Sequence, residues 1–456
     1  MCYASAMPRF EPFAGVRYSA SVPLADVISP PYDVIDRQER AVLTSRNPHN
    51  SVLIDLPSTG DPDKLRDPHD PYEHAAELLT RWLAENILSR DDEPSLYAYQ
   101  MTFQDEQAQT HTTLGVLGAL GLPLAGETDI LPHEQTHPKA KSDRLKLLRA
   151  CQANLSPIWG LSLSSGLSET IRTAHEAIGS PTQSATADDG VRHDLWRIVE
   201  PVAMKDICSS IAENPVIIAD GHHRYETALT YALERRSSSD AAQGGHDLVM
   251  TLIVELAPNQ LRVQPIHRVI TGLPSELDLP AALAKHLDLR EAPELGRAIT
   301  SDAATNTRDP SRLLEDAHAM GLITASGTWF VSTQERSEHM REAREALSAG
   351  QGSRETCTDD PLADLDSAIL AAVLNKLPQC DVSYVSSWVN AAEAVSNGSA
   401  QAAVLLRPAT VDQIAATAHS NRRMPPKTTY FHPKPRTGMV FRLVDDPQSS
   451  SRHSEP

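Results

Sequence analysis

The chain has 456 residues, and its 41 Lys and Arg against 60 Asp and Glu give a formal net charge of −19. That length holds two or three domains or one large α/β unit, and 40% hydrophobic with 22% charged residues is the composition of a soluble globular protein, not a disordered or fibrous one. The acidic balance argues against broad binding to nucleic acid or anionic membranes, which takes clustered Lys and Arg, so any phosphate site must be local.

In chain order, the opening MCYASAMPRFEPFAG lacks the charged-then-apolar plan of a secretion signal. No run approaches the ~18 apolar residues of a membrane span, so a cytoplasmic protein is expected. Val27-Ile28-Ser29 runs into Pro30-Pro31, which fixes an extended or turn geometry ahead of Tyr32 and Asp33. Between Tyr72 and Leu88 the apolar residues fall at three-and-four spacing and predict an amphipathic helix behind Pro71. Alternation through Leu96, Tyr97, Ala98 and Tyr99, and the run from Gly115 to Leu122, predict paired strands. The segment His133-Glu134-Gln135-Thr136-His137 spells the HExxH zinc pattern, but Pro132 and Pro138 bracket it and oppose the shared helical face that zinc binding requires. Next come Lys139, Lys141 and Lys146, which read either as a local positive patch beside Glu134, Asp143 and Arg144 or as a solvated helix face. Polar stretches at about 180–192, 236–246 and 349–360 read as surface loops or insertions.

The middle of the chain has the clearest local grammar. Pro215 to Ala219 reads as a buried strand, Asp220-Gly221 as a turn, and His222-His223-Arg224 as the start of a helix with Tyr225, Ala228, Leu229, Ala232 and Leu233 on its apolar face. A strand feeding a glycine turn into a helix start aims backbone N–H groups and the positive dipole end at one spot, which suits phosphate. Gly221 allows close backbone approach, Arg224 offers a planar donor fork, the histidines add donors that also act as acids, and Asp220 is a candidate to bind Mg²⁺ or accept a proton. In a second reading, Asp220 is only a helix cap and the histidines are surface residues. Leu248 to Leu256 reads as a buried strand, with Leu261 to Pro265 as its return across a Pro258-Asn259 turn. Ala402 to Leu406 reads as a strand, and Thr410 with Gln413 as a capping box. Elements alternate from end to end, giving α/β or α+β with mixed sheets and flanking helices. Five scattered cysteines without a CxxC spacing indicate neither a disulfide framework nor a cysteine zinc site. P-loop, Rossmann and nucleophile-elbow motifs do not occur.

Taken together, several segments resemble the domain-of-unknown-function 1015 family of cytoplasmic bacterial and archaeal proteins. They are Pro30-Pro31-Tyr32-Asp33-Val34-Ile35, Asn47-Pro48 with Asn50, His133-Glu134 with Thr136, Asp143-Arg144-Leu145, Ser156-Pro157-Ile158, Ala219 to Ala228, Pro265 with His267-Arg268, and Met424 to Phe431. The resemblance spans about 8–442, and it implies one catalytic unit with two lobes near 8–165 and 193–442; the tail at 443–456, which lacks apolar periodicity from Asp446 onward, is expected to be disordered. Asp220 to Arg224 is similar to the phosphate-binding turn of the ParB and sulfiredoxin superfamily, and some members resembling this family are thought to be pyrophosphate-dependent L-serine kinases. Carried over, the resemblance implies a small-molecule phosphotransferase in which Gly221, His222, His223 and Arg224 hold the phosphoryl donor. Asp220, Glu134 and Asp33 become candidates for binding Mg²⁺ or taking the hydroxyl proton, while His267, Arg268 and Lys427 complete the anion pocket. Arg224 is then a ligand-facing residue whose removal stops activity and spares the fold. The expected partners are a phosphoryl donor and a hydroxylated amino acid, with a homodimer left open and neither nucleic acid nor membrane. The competing reading is a ParB-like nucleotide-binding regulator without turnover.

Overall fold

The apolar runs read from the sequence become neighbours in one large sheet. The structure is a computed structural model and describes residues 7–57, 70–105, 108–123, 129–132, 138–237, 244–300, 310–332, 364–420 and 424–444. The chain divides into two compact units, one formed by Met1–Leu261 with Pro433–Pro456 and the other by Arg262–His432. The division thus falls at 261 and 432, away from the break expected between 165 and 193. The polar stretch at about 180–192, expected as a surface loop or insertion, is in part a strand. Its residues form the strand Gln183–Thr186, paired antiparallel with Arg192–Ile198 at the edge of the large sheet.

In the first unit the nine-stranded sheet runs in the order Ile130–Pro132, Val216–Asp220, Ile158–Ser162, Leu248–Glu255, Thr110–Gly121, Leu96–Gln104, Arg192–Ile198 and Gln183–Thr186, with Phe10–Glu11 also pairing onto Thr110–Gly121. The predicted pairing of the 96 and 115 segments is present, antiparallel, with Tyr97 opposite Leu117. Val216–Asp220 lies parallel to Ile130–Pro132, and Leu248–Glu255 parallel to Ile158–Ser162, so the sheet is mixed. Residues two apart share a face of a strand. Leu96 and Ala98, Leu114 and Val116, and Val216 and Ile218 accordingly enter one core cluster with Leu167 and Ile171, Ile207 and Ile211, and Tyr225, Ala228 and Ala232 from three covering helices. Those helices are Leu167–Ile178, Pro201–Ala212 and His222–Ser237. The helix predicted behind Pro71 is Pro71–Ala84, with Pro71 in its first turn and the Asp70 side chain accepting from the Tyr72 N–H at 2.9 Å.

Two expectations for the middle segment change. Leu233 is 56% exposed and Tyr231 is buried in its place, because the helix His222–Ser237 is covered on two sides. Tyr225, Ala228 and Ala232 face the sheet, whereas Tyr231 packs with Leu148 and Val444. The segment after Pro258-Asn259 does not return along Leu248–Glu255. Arg262–Pro265 pairs instead with Thr429–His432 and opens the second unit, because the buried strand already has neighbours on both edges.

The second unit holds a six-stranded sheet in the order Asp288–Glu291, Gly327–Ser332, Met320–Thr324, Ala402–Leu405, His267–Thr271 and Asp381–Val385, antiparallel throughout. Separate apolar clusters cover its two faces, one around Ile270, Leu322 and Val404 and one around Val269, Ile323 and Ala403. The predicted capping box is present, with Thr410 Oγ1 accepting from the Gln413 N–H at 3.1 Å and the Gln413 side chain accepting from the Thr410 N–H at 3.0 Å. The fold is therefore mixed α/β, with several sheets flanked by helices. Of the expected tail, Leu443 pairs with Ala153 and Val444 is buried, and 445–456 lies outside the described residues. No helix among the described residues is long and apolar enough to cross a membrane.

Candidate functional site

Val216, Ile217 and Ile218 are fully buried and carry the strand to the rim of the large sheet. Its register with the neighbouring strand shifts there, since Ile218 opposes Gly160 while Asp220 opposes Trp159. Such a bulge re-aims the next side chain, here Asp220. Gly221 follows at φ +87°, in the left-handed region, and the helix opens at His222. A Cβ on Gly221 would meet Arg224 Nε at 3.0 Å, because the Arg224 side chain folds back across the turn. Glycine is thus required twice, by its backbone angle and by the guanidinium lying against it.

Both oxygens of Asp220 face cations. Lys434 Nζ lies 2.7 Å from Oδ1, and Arg224 Nη2 donates to Oδ2 at 3.1 Å. Burial alone would raise the Asp220 carboxyl, but Lys434, Arg224 and His222 together hold it well below the usual carboxylate range. Arg224 Nη1 also donates to the Pro157 carbonyl. Burial disfavours its charge, yet Asp33, Asp220, Tyr32 and Asp55 outweigh that and raise its pKa. The Arg224 side chain is only 9% exposed. It is therefore an internal anchor, and its truncation would leave Asp220 and the Pro157 carbonyl short of a donor.

Tyr32, placed by Pro30 and Pro31, meets two guanidiniums, with Arg144 Cζ 4.0 Å and Arg224 Cζ 6.0 Å from its ring centre. Burial pushes its hydroxyl up to about 12. Arg144 donates to the Asp55 carbonyl at 2.5 Å and through Nε and Nη2 to Asp143 Oδ2 at 3.0 and 2.8 Å. The Tyr72 hydroxyl donates to the other Asp143 oxygen at 2.6 Å. Asp55 sits beneath, 3% exposed, its carboxyl raised by burial and accepting from Thr437 Oγ1 at 3.1 Å. Between this group and the helix His222–Ser237 lies a cleft of about 440 Å³, counted with the open space at its mouth.

Of the residues singled out in the sequence, Asp220, Gly221, His222, His223 and Arg224 are contiguous at this turn. Asp33 is exposed on the turn after Pro31, within electrostatic reach of Arg224 and Tyr32. Glu134, with His133 and His137 of the HExxH segment, lies outside the described residues, and the helix begins just behind it at Pro138. His267, Arg268 and Lys427 belong to the second unit. His267 Nδ1 accepts from the Leu406 N–H at 3.1 Å, Arg268 donates to the Ile266 carbonyl at 2.6 Å and lies 4.7 Å from the Tyr384 ring centre, and Lys427 is exposed at φ +57°. Sequence reasoning missed Lys434, Asp55 and Arg144 as parts of the site. Lys434 stands seven residues after Lys427 in the same proline-rich stretch, and nothing in that local pattern ranks one lysine above the other.

As for Mg²⁺, no group of three or more His, Cys, Asp or Glu side chains among the described residues is placed to hold a metal. The two Asp220 oxygens are already taken by Lys434 and Arg224, so a direct Asp220 ligand does not fit this arrangement. Burial pushes the Cys151 thiol up to about 12 and Cys208 to about 11, which leaves neither poised as a nucleophile.

The sequence matches, over residues 10–368, the family described as Protein of unknown function (DUF1015). The chain belongs to this family. Within the DUF1015 match lie Tyr32, Asp33, Asp55, Arg144 and Asp220 to Arg224, while Lys434 and Thr437 come from beyond it. No curated protein matches the sequence. Among solved structures the chain is similar to a free serine kinase in complex with AMP, at 12% identity over 69% of this chain and 88% of that one, with a TM-score of 0.35. It is also similar to SbnI with a C-terminal truncation from Staphylococcus aureus, at 13% identity over 73% and 92% with a TM-score of 0.36. A conserved hypothetical protein from Pyrococcus furiosus gives 12% identity over 68% and 90% with a TM-score of 0.32.

Proposed function

We propose that this protein transfers a phosphoryl group from pyrophosphate or a nucleotide to the hydroxyl of a small metabolite, with L-serine as the acceptor and O-phosphoserine as product. The observation that carries the reading is the bulged strand, left-handed glycine and helix start at Asp220, Gly221 and His222, with Lys434 beside them. Phosphoryl transfer asks mainly for positioning and charge neutralisation. The helix start and His223 would receive the transferred group, and Lys434 would offset charge on the donor. Asp220 would hold Lys434 and Arg224 in place, because its depressed pKa makes it a poor base. Asp33, an exposed carboxylate within electrostatic reach of Arg224, would take the hydroxyl proton as the new O–P bond forms and the leaving phosphate departs with the old bond's electron pair. Mg²⁺ would arrive with the donor, since it is commonly held by substrate phosphates and only one or two carboxylates.

The test is to incubate the purified chain with L-serine, Mg²⁺ and pyrophosphate, ATP or ADP in turn, following phosphoserine by phosphorus NMR. One donor should support turnover, and the half-buried His223 replaced by Asn should lower kcat by about 10²-fold while thermal unfolding is unchanged. Absence of product with every donor rejects the proposal, and nucleotide binding without product would favour the regulatory reading.

A further inference from the structure

Tyr32 and Asp33 are the two central residues of a turn that the Pro31 carbonyl closes by accepting from the Val34 N–H at 3.2 Å. Asp33 is exposed and Val34 is 41% exposed, whereas Tyr32 is half-buried, so the Tyr32 ring ties the tip of the turn to the protein. The Asp33 carboxylate has no hydrogen bond or ion pair among the described residues. Its place is therefore set by the turn and not by contacts of its own.

The ring meets two guanidiniums, each fixed from elsewhere. Arg144, 4.0 Å from the ring centre, is held by Asp143 and the Asp55 carbonyl, and Arg224, at 6.0 Å, by Asp220 and the Pro157 carbonyl. A guanidinium whose in-plane donors are engaged still presents its face to an aromatic ring, so these partners hold the cations in place without competing for that contact. The attraction uses the ring and not the hydroxyl. The Tyr32 hydroxyl has no hydrogen bond among the described residues, and burial pushes it up to about 12, which keeps the phenol neutral. Arg224 also feels Asp33: burial disfavours the Arg224 charge, and Asp33 is the largest of the attractions that outweigh it. One fixed cation thus acts on both central residues of the turn.

We propose that Tyr32 is a positioning residue, its ring held by Arg144 and Arg224 so that the turn presents the Asp33 carboxylate beside Arg224. The role rests on the phosphotransfer reading above, in which Asp33 takes the hydroxyl proton; Tyr32 itself exchanges none. The experiment compares Tyr32→Leu, which removes the ring, with Tyr32→Phe, which keeps it, in the intact chain. It reads amide hydrogen exchange at Val34 by NMR and steady-state phosphoserine formation with whichever of pyrophosphate, ATP and ADP supports turnover. In Tyr32→Leu the Val34 amide should exchange about 10-fold faster and kcat should fall about 10- to 100-fold. The KM for the donor should not change, because Arg224 keeps its Asp220 and Pro157 partners. Tyr32→Phe should restore both the exchange rate and kcat, which guards against a folding defect in the leucine chain. Unchanged Val34 exchange in Tyr32→Leu, or a phenylalanine chain as impaired as the leucine one, overturns the role of the ring. A rise in donor KM as large as the fall in kcat would mean that the phosphate turn itself has moved, and overturns positioning through Asp33. Phosphoserine formed by Tyr32→Leu at the parental kcat overturns the positioning role and leaves the kinase reading standing, whereas no phosphoserine from the parent chain with any donor removes both.

Discussion

Asp220 is held by two cations at once, and the two are not equivalent. Arg224 belongs to its own helix and is fixed by the Pro157 carbonyl as well, whereas Lys434 arrives from a segment more than 200 residues away. Replacing Lys434 by Met leaves Arg224 in place and strands one carboxylate oxygen in a site where Asp220 is only 19% exposed. We expect a loss of about 3 kcal/mol at pH 7, at the low end for breaking a buried pair because one partner stays. The sign with pH follows from the depressed carboxyl: its stabilisation is present above the unfolded value near 3.9 and is lost as pH falls through the lower folded value. Without Lys434 the folded carboxyl moves up towards the unfolded value, so the variant should lose less stability than the parent as pH falls below about 5. Urea unfolding between pH 3 and 8 checks both points, and Asp220→Asn combined with Lys434→Met should recover most of the loss. An equal fall in unfolding free energy for parent and variant between about pH 5 and pH 3 would show that Lys434 does not hold the carboxyl ionised.

Elements with strong local signals were legible in the sequence, and those decided by distant partners were not. The strand at 216–220 and the helix opening at His222 announce themselves through a β-branched run, a glycine and a three-and-four apolar spacing. Arg262–Pro265 carries a short strand pattern that says nothing of its partner, and a turn signal before it pointed to the wrong one. Likewise Gln183–Thr186 is polar because it is an edge strand, half solvated, and it reads as loop. The strand beside it, Arg192–Ile198, hides a further feature that polarity alone misreads. His193 is fully buried, with Nδ1 2.8 Å from the Tyr99 hydroxyl, which in turn accepts from the Arg436 N–H at 3.1 Å. Burial first, then Arg436, lowers the His193 pKa to about 3. Between its folded value and the ~6.5 of an unfolded histidine, the unfolded chain binds the proton and the folded chain does not, so stability falls as pH drops through that window. At pH 5 this one strand position should cost about 2 kcal/mol relative to pH 7.5. His193→Gln should remove that share of the pH dependence in denaturant titrations at the two pH values; an unchanged difference would place the acid sensitivity elsewhere.

At the scale of the whole chain, the second unit is a continuous segment whose ends meet. Arg262 is register partner to His432, and Val263 to Phe431, so the segment leaves and rejoins the first unit through one antiparallel ribbon. After it the chain closes the first unit with Pro433–Val444: Phe441 pairs with Val16, and the buried Arg442 donates to the carbonyls of Gly245 and Leu248 at 2.7 and 3.0 Å. None of this was legible in sequence, because a long-range return depends on partners some 190 to 430 residues away and leaves only a short apolar run as its trace. A hydrogen-bonded or non-hydrogen-bonded antiparallel pair sets its two Cα atoms roughly 4.5–5.5 Å apart, a gap that two or three residues span. Replacing Arg262–His432 by Gly-Asn-Gly should therefore leave a chain that unfolds in a single cooperative transition with well-dispersed amide resonances, and Arg262–His432 expressed separately should fold as well. The shortened chain also decides what His267, Arg268 and Lys427 contribute, since it lacks all three yet keeps Asp220 to Arg224 and Lys434. Pyrophosphate affinity within about threefold of the parent is the expected result if the anion site belongs to the first unit alone; a loss of 100-fold or more in a chain that still folds would assign part of it to the second.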